Sequence, residues 1–426
     1  MHNSVAGTRS SCYTGDVTVD EITLRPITED EFPAYQTLIA TTFGHDLHPE
    51  DLELERLVFE IDRSLAVFDG DLLVATAGSF TRDLSVPGAV LPAAHVTAVS
   101  VAQTHRRRGL LTRMMRRQLQ DIHQAGRESI AVLWASEDAI YGRFGYGLAS
   151  VRVLIEASNR EVTVPPVSAP GRIRQVKATE EVATLAALFD EVRPHRPGFS
   201  SRPDAWWRYR LADPEHGRHG ATALRTAIHD NGAGQPDGYA LWRTRYQEGS
   251  LGPRYQVEVK EVVATNLTAY QRLWHFLMNL DLTRKFSCWA LATDEPLFYL
   301  VNAPSQLGRR IGDNLFLRII DLPTALTGRR YATPVDVVLE VTDELLPRNT
   351  GRWHLTGDAT GASCQPTDRP ADLTLGIQEL GAAYLGGTSL WALGQAGRVV
   401  ERTPGALSGA AAAFGWHRAP LSIEVF

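Results

Sequence analysis

The chain has 426 residues, 44% of them hydrophobic and 22% charged, with a net charge of −6. This length exceeds one ordinary core, so two or three domains are expected, and the mild acidity argues against nucleic acid as a partner. No apolar run approaches the roughly 20 residues that span a bilayer, and the scattered cysteines Cys12, Cys288 and Cys364 offer neither a disulfide framework nor zinc spacing, which suits a reducing cytoplasm.

Residues 1–20 are small and polar, lack the apolar centre of a secretory signal, and read as a disordered leader. A first domain is expected over 21–160. Within it, Asp46–Asp62 is rich in carboxylates, with Leu52, Leu57 and Phe59 spaced for a helix. Leu72–Phe80 and His95–Gln103 read as strands. Leu110–Gln124 reads as an amphipathic helix: Leu111, Met115, Leu119 and Ile122 share a face, Arg113, Arg116, Arg117 and Asp121 lie off it, and Gly126 ends it. Ser129–Ala135 is almost wholly apolar, as a buried strand is. The Pro-rich stretch Val162–Gly171 reads as a linker.

A second domain is expected over 171–310, where the order repeats. Gly238–Arg243 and Gln256–Thr265 read as strands, Asn266–Leu280 as a helix capped by Asn266, and Phe286–Ala292 as a strand again. No basic, Gly-containing turn stands between Thr265 and that helix, so this copy is read as degenerate, packing without binding a cofactor. Trp206 and Trp207 read as core or interface. His195, His216 and His219 lack acidic or cysteine partners at ligand spacing, so no metal site is expected.

A third domain, 313–426, offers strands at Leu315–Ile320, Pro334–Val341, Arg352–Thr356 and Asp372–Gly376, with helices at Gln378–Leu385 and Ala406–Phe414. The fold class is therefore mixed α/β, with this last domain α+β. Its end, Ala419–Phe426, alternates Leu421, Ile423 and Val425 with Ser422 and Glu424, a strand pattern running to the last residue. Chain ends usually fray, so this one reads as an edge strand or as a docked terminus.

Two segments carry chemistry. Between the strand ending at Gln103 and the helix beginning at Leu110 stands Thr104-His105-Arg106-Arg107-Arg108-Gly109. A helix start offers unpaired N–H groups to a phosphate, glycine admits close backbone approach, and guanidinium forks fit phosphate oxygens. After the next strand comes Ile140-Tyr141-Gly142-Arg143-Phe144-Gly145-Tyr146. A phenol there is a reasonable acid for a thiolate leaving group, with Tyr141 and Tyr146 competing for the part.

Arg106-x-x-Gly109-x-Leu111 resembles the R/Q-x-x-G-x-G/A signature of the GNAT acetyltransferase superfamily, departing from it at Leu111. THRRRGLL followed by ASE and IYGRFGYG resembles one branch, the Eis (enhanced intracellular survival) family. That resemblance implies tandem GNAT-like domains and a sterol-carrier-protein-like C-terminal domain. It implies acetyl-CoA as co-substrate, held by Val99, Ser100 and Val101 along the pantetheine arm. The turn Arg107, Arg108, Gly109, Leu110, Leu111 and Thr112 would hold the pyrophosphate, with Ser136 and Glu137 on the far side. Tyr141 would be the general acid and the C-terminal carboxylate of Phe426 the general base, with Phe43 and Asp46 in the substrate pocket. An α-carboxyl of pKa about 3.5 is a weak base for an ammonium, so burial or a positioned water would have to assist it.

The resemblance further implies direct acetyl transfer to amines of aminoglycoside-type polyamines, at several positions, by a homohexamer; the composition adds the expectation of a cytoplasmic protein without metal, nucleic-acid or membrane partners. A protein lysine acetyltransferase and a non-enzymatic lipid-binding protein are the alternatives.

Overall fold

The computed structural model describes residues 22–247 and 255–426; the leader and Cys12 lie outside the described residues. The first domain supplies strands β1 (Ile22–Arg25), β2 (Leu65–Asp69), β3 (Leu72–Val86), β4 (Ala89–Val101), β5 (Ile130–Leu133) and β6 (Gly147–Leu148). Its helices are α1 (Phe32–Phe43), α2 (Pro49–Arg56), α3 (Leu110–Ala125) and α4 (Asp138–Tyr141). The second domain adds β7 (Val151–Ser158), β8 (Gly171–Val176), α5 (Val182–Val192), α6 (Asp204–Leu211), β9 (Arg225–Asn231) and β10 (Pro236–Tyr246). It continues through β11 (Tyr255–Ala264), α7 (Leu267–Met278), β12 (Thr283–Leu291), α8 (Leu297–Leu300) and β13 (Arg310–Asp313). The rest comprises β14 (Phe316–Ile319), α9 (Leu322–Gly328), β15 (Val335–Thr342), β16 (Gly351–Gly357), β17 (Ala362–Pro366), β18 (Leu373–Gly376), α10 (Ile377–Ala383), α11 (Leu390–Gln395), β19 (Val399–Glu401) and α12 (Ala406–Phe414).

These strands form three sheets, ordered β1-β2-β3-β4-β5-β14-β6, β13-β7-β12-β11-β10-β9-β8 and β17-β16-β15-β18-β19. The two larger sheets repeat one plan: long antiparallel strands, then a helix that returns the chain to a parallel neighbour (β4 to β5 through α3, β11 to β12 through α7). The expected elements of both copies are present. Asn266 caps α7 as expected, its side chain accepting from the Ala269 N–H at 3.0 Å.

The sheets do not respect the boundaries that the sequence suggests. β7, which precedes residue 160, hydrogen-bonds between β12 and β13 in the second sheet. β14, expected to open the third domain, instead lies antiparallel to β5 and β6 in the first. All four β14 side chains are buried. An apolar run predicts a strand without naming its partner, which is why the periodicity gives the element and misses the sheet. Val162 and Val164, in the stretch read as a linker, are buried in the second core.

The third domain covers one face of the first sheet. Leu84, Ile130, Val132 and Leu317 of that sheet share a single apolar cluster with Val337, Leu339, Leu380 and Phe414. Arg318 of β14, wholly buried, makes a two-pronged bond to Asp343 at 2.7 and 2.8 Å, and Asn349 donates to the same carboxylate at 2.9 Å. No helix among the described residues is long and apolar enough to cross a membrane.

The chain end differs from the expected strand. Residues 417–426 join no β ladder. Leu421, Ser422, Ile423 and Glu424 are all buried, whereas Val425 is 60% exposed. The alternation that suggested an inward Val425 and an outward Glu424 is therefore reversed at those two positions. The carboxylate of Glu424 finds ion-pair partners inside, and Val425 does not need to be buried.

Candidate active site

The site begins with a break in the sheet. β3 and β4 slip register between Thr76 and Gly78, and Ala98 adopts φ 54°, an unusual backbone for a residue with a Cβ. The Thr76 hydroxyl donates to the Ala98 carbonyl at 2.7 Å and so holds this bulge. β4 pairs with β5 only from Ala93 to His95. Beyond that point the strands part and leave a cleft between Thr97–Val101 and Trp134–Ser136.

Two cavities occupy the cleft. One, of about 670 Å³, is lined by Val99, Ser100, Val101, Arg106, Arg107, Gly109–Thr112, Ser136, Glu137 and Tyr141. At its floor α3 starts from Gly109, whose φ of 79° is left-handed, and nothing lies within 4 Å of where a Cβ would sit. Arg107, also left-handed at φ 63°, faces the cavity. Arg108 does not: its side chain is half exposed and pairs with Asp69 at 3.2 Å. Ten of the eleven expected cofactor residues thus meet at this cavity, and Arg108 stands outside it.

The second cavity, about 350 Å³, adjoins the first at Phe43, Val99, Ser136 and Tyr141. Its walls are aromatic: Phe43, Phe59, Phe80, Trp134, Trp206 and Tyr209. Trp206 packs edge-on against Phe80 at 5.0 Å. Trp206, read from the sequence as core or interface and not as a ligand platform, is packed with Val58 and Phe80 but also lines this cavity. Trp207 is core. Asp46, by contrast, is exposed in the turn before α2 and lines neither cavity. The side-chain carboxylate that does line the aromatic cavity is Glu55 of α2. It accepts the Tyr209 hydroxyl at 2.6 Å, and burial raises its pKa.

Val425 and Phe426 complete this cavity. The Phe426 ring stands edge-on to His95, with centroids 4.7 Å apart. His95 is itself committed: the Ala93 carbonyl 3.0 Å from Nδ1 can only accept, so Nδ1 carries the proton and Nε2 takes the Ser200 hydroxyl at 2.8 Å. Burial pulls its pKa down to about 3, so His95 is a neutral floor beneath Phe426.

Tyr141 ends α4 and is the aromatic residue of its loop that borders both cavities. Burial, with Glu137 adding to it, pushes its pKa up to about 12. Tyr146 is wholly buried and its hydroxyl has no hydrogen-bond partner. The loop is held from below by α10. A Cβ at Gly147 would stand 2.1 Å from the Gln378 carbonyl oxygen, so only glycine permits that approach.

Phe80, Trp134, Glu55 and Tyr209 escaped sequence reasoning. Glu55 lay within the acidic segment, indistinguishable there from its solvated neighbours. The others carried no signal beyond being aromatic.

Comparison with known proteins agrees with this geometry. Residues 23–149 and 198–319 each match a family described as an acetyltransferase (GNAT) domain, and residues 322–422 match a sterol carrier protein domain. An uncharacterized N-acetyltransferase of Streptomyces avermitilis is 43% identical over 91% of this chain and 95% of its own. N-acetyltransferase Eis of Mycobacterium tuberculosis is 33% identical over 89% of this chain and 93% of its own. The crystal structure of Eis1 from Mycobacterium abscessus superposes with a TM-score of 0.81 at 30% identity, covering 95% of this chain and 100% of that one. With its cleft, its paired GNAT domains and these full-length relatives, the chain belongs to the Eis family of GNAT N-acetyltransferases.

Proposed function

We propose that the enzyme transfers acetyl groups from acetyl-CoA directly to amines of aminoglycoside-type polyamines, at more than one position of each molecule. The observation that carries this reading is the meeting of two unlike cavities at Tyr141: one floored by a basic helix start, the other aromatic and bearing carboxylates. The first fits a CoA diphosphate. It has the volume, the Arg106 and Arg107 guanidiniums, the α3 N-terminus and an open Gly109. Val99, Ser100 and Val101 would hold the pantetheine arm, and Ser136 and Glu137 the opposite side. The bound co-substrate supplies an activated acetyl thioester.

The chain's own groups then move protons. The Phe426 carboxylate takes a proton from the incoming ammonium, directly or through a water. The freed nitrogen forms the amide bond as the carbon–sulfur bond breaks; the Tyr141 phenol protonates the departing sulfur, and the second proton that the new amide nitrogen must lose restores the phenol through solvent. The aromatic walls suit sugar rings, and Glu55 offers a second amine a carboxylate partner. By family resemblance we take the enzyme to be a cytoplasmic homohexamer, a size that light scattering checks.

Mass spectrometry of kanamycin or neomycin after incubation with enzyme and acetyl-CoA tests the substrate class. Several acetyl increments on one molecule are expected. No increment with any aminoglycoside, alongside acetylation of lysine side chains in protein, would transfer the assignment to a protein acetyltransferase.

A further inference from the structure

The last six residues have no ladder to hold them, yet they bring Val425 and Phe426 to the wall of the aromatic cavity. Side chains fix them instead. Leu421 and Ile423 are buried with Leu185, Phe189 and Trp207 of the second domain. The Ser422 backbone is gripped by one amide: Asn314 Oδ1 accepts from its N–H at 2.7 Å and Nδ2 donates to its carbonyl at 2.9 Å.

Between these anchors and Phe426 stands Glu424, 5% exposed. Arg82 of β3 donates to its Oε2 at 2.6 Å, and Arg202 donates to Oε1. Arg202 also grips Glu261 of β11 through two parallel bonds of 2.8 Å each. Each guanidinium is stacked as well, Arg82 on Trp206 at 4.0 Å and Arg202 on Phe189 at 3.9 Å. Burial opposes ionisation of Glu424, but Arg202 and then Arg82 outweigh it and hold its pKa at about 2.

We infer that Glu424 is a positioning residue, clamped by Arg82 and Arg202 to set where the carboxylate of Phe426 stands, and that the degenerate second domain serves as cradle for this catalytic end. The inference rests on the reading of that carboxylate as the base. Two residues of chain reach at most about 7 Å, so fixing Glu424 confines Phe426. Apolar seats alone would let the segment slide, whereas two directed charge-assisted bonds, one to each carboxylate oxygen of Glu424, set angle and distance. Arg82 belongs to the first domain and Arg202 to the second, so the clamp references the chain end to both.

The test uses the full-length enzyme and two variants, E424Q and Arg82→Met, the latter leaving Glu424 paired with Arg202. A displaced catalytic group costs about 10²-fold, so E424Q is expected to lower kcat by about that factor with the KM for acetyl-CoA unchanged. Carboxypeptidase A should release Phe426 faster from E424Q than from the wild type. If E424Q does not fold, Arg82→Met carries the test, with a smaller loss of kcat and faster release expected. Wild-type kcat and wild-type resistance to carboxypeptidase in the folded variant overturn the clamp. Deleting Phe426 separates the two readings: a deleted enzyme with full activity removes the carboxylate from catalysis. The clamp is then judged by release alone, faster release upholding it and unchanged release overturning it.

Discussion

Tyr141 and Tyr146 look alike in the sequence, and the fold gives them different surroundings. Tyr146 is sealed in the core without a hydrogen-bond partner, while Tyr141 borders both cavities. Its pKa of about 12 has a consequence for pH dependence. A raised pKa moves loss of the proton to higher pH, so Tyr141 remains a loaded acid below about 12 rather than failing near the ordinary phenol value of about 10. The kcat profile should therefore rise as the substrate amine deprotonates and show no limb near pH 10 that belongs to this residue. Tyr141→Phe should lower kcat by about 10²–10⁴-fold, the usual cost of losing a general acid. Calorimetry should find acetyl-CoA binding intact. Near-normal turnover of that variant would remove Tyr141 from the role.

At the scale of an element, the turn before α3 shows what local sequence can and cannot specify. Strand, basic turn and amphipathic helix are all legible, because each depends on neighbours within a few residues. The helix starts at Leu110 as its periodicity predicts. Which arginine faces the cavity is not legible, since that depends on Arg107 adopting φ 63° and on Asp69, in another strand, taking Arg108. The two arginines should therefore behave differently when replaced. A charge-assisted hydrogen bond is worth about 1.5–3 kcal/mol, so Arg107→Ala should raise the KM for acetyl-CoA at least about tenfold. Arg108→Ala gives up only an exposed pair, worth about 1 kcal/mol or less, and should leave that KM nearly unchanged. Equal effects would mean that the turn binds through its net charge and not through one oriented fork. The chain end illustrates the opposite limit. Its alternation is a strand pattern, but its conformation is decided by Asn314, Arg82 and Arg202, far away in sequence, which no periodicity reports.

Across the whole molecule, the strand exchange makes the motif-bearing segment dependent on the rest. Residues 1–160 include the basic turn and Tyr141, yet they omit β14, which fills the space between β5 and β6. They also keep β7, whose partners β12 and β13 lie elsewhere. Such a fragment would expose the edge of β5, all of whose residues are buried in the full chain, together with the sheet face that the third domain covers. Unpaired apolar edges aggregate. We therefore expect residues 1–160 produced alone to be insoluble, or soluble without a near-ultraviolet circular dichroism signal, and to turn over no acetyl-CoA. Extending the fragment to residue 330 restores every strand of both larger sheets but leaves out Phe426 and the cover over the first sheet. That longer fragment should still be inactive, even if it folds and binds CoA, because it lacks Phe426, whose carboxylate we propose as the base. An active 1–160 fragment would show that the catalytic domain is autonomous. An active 1–330 fragment would show that the transfer needs no base from the chain end, and the long route of that segment back to the first domain would then need another explanation.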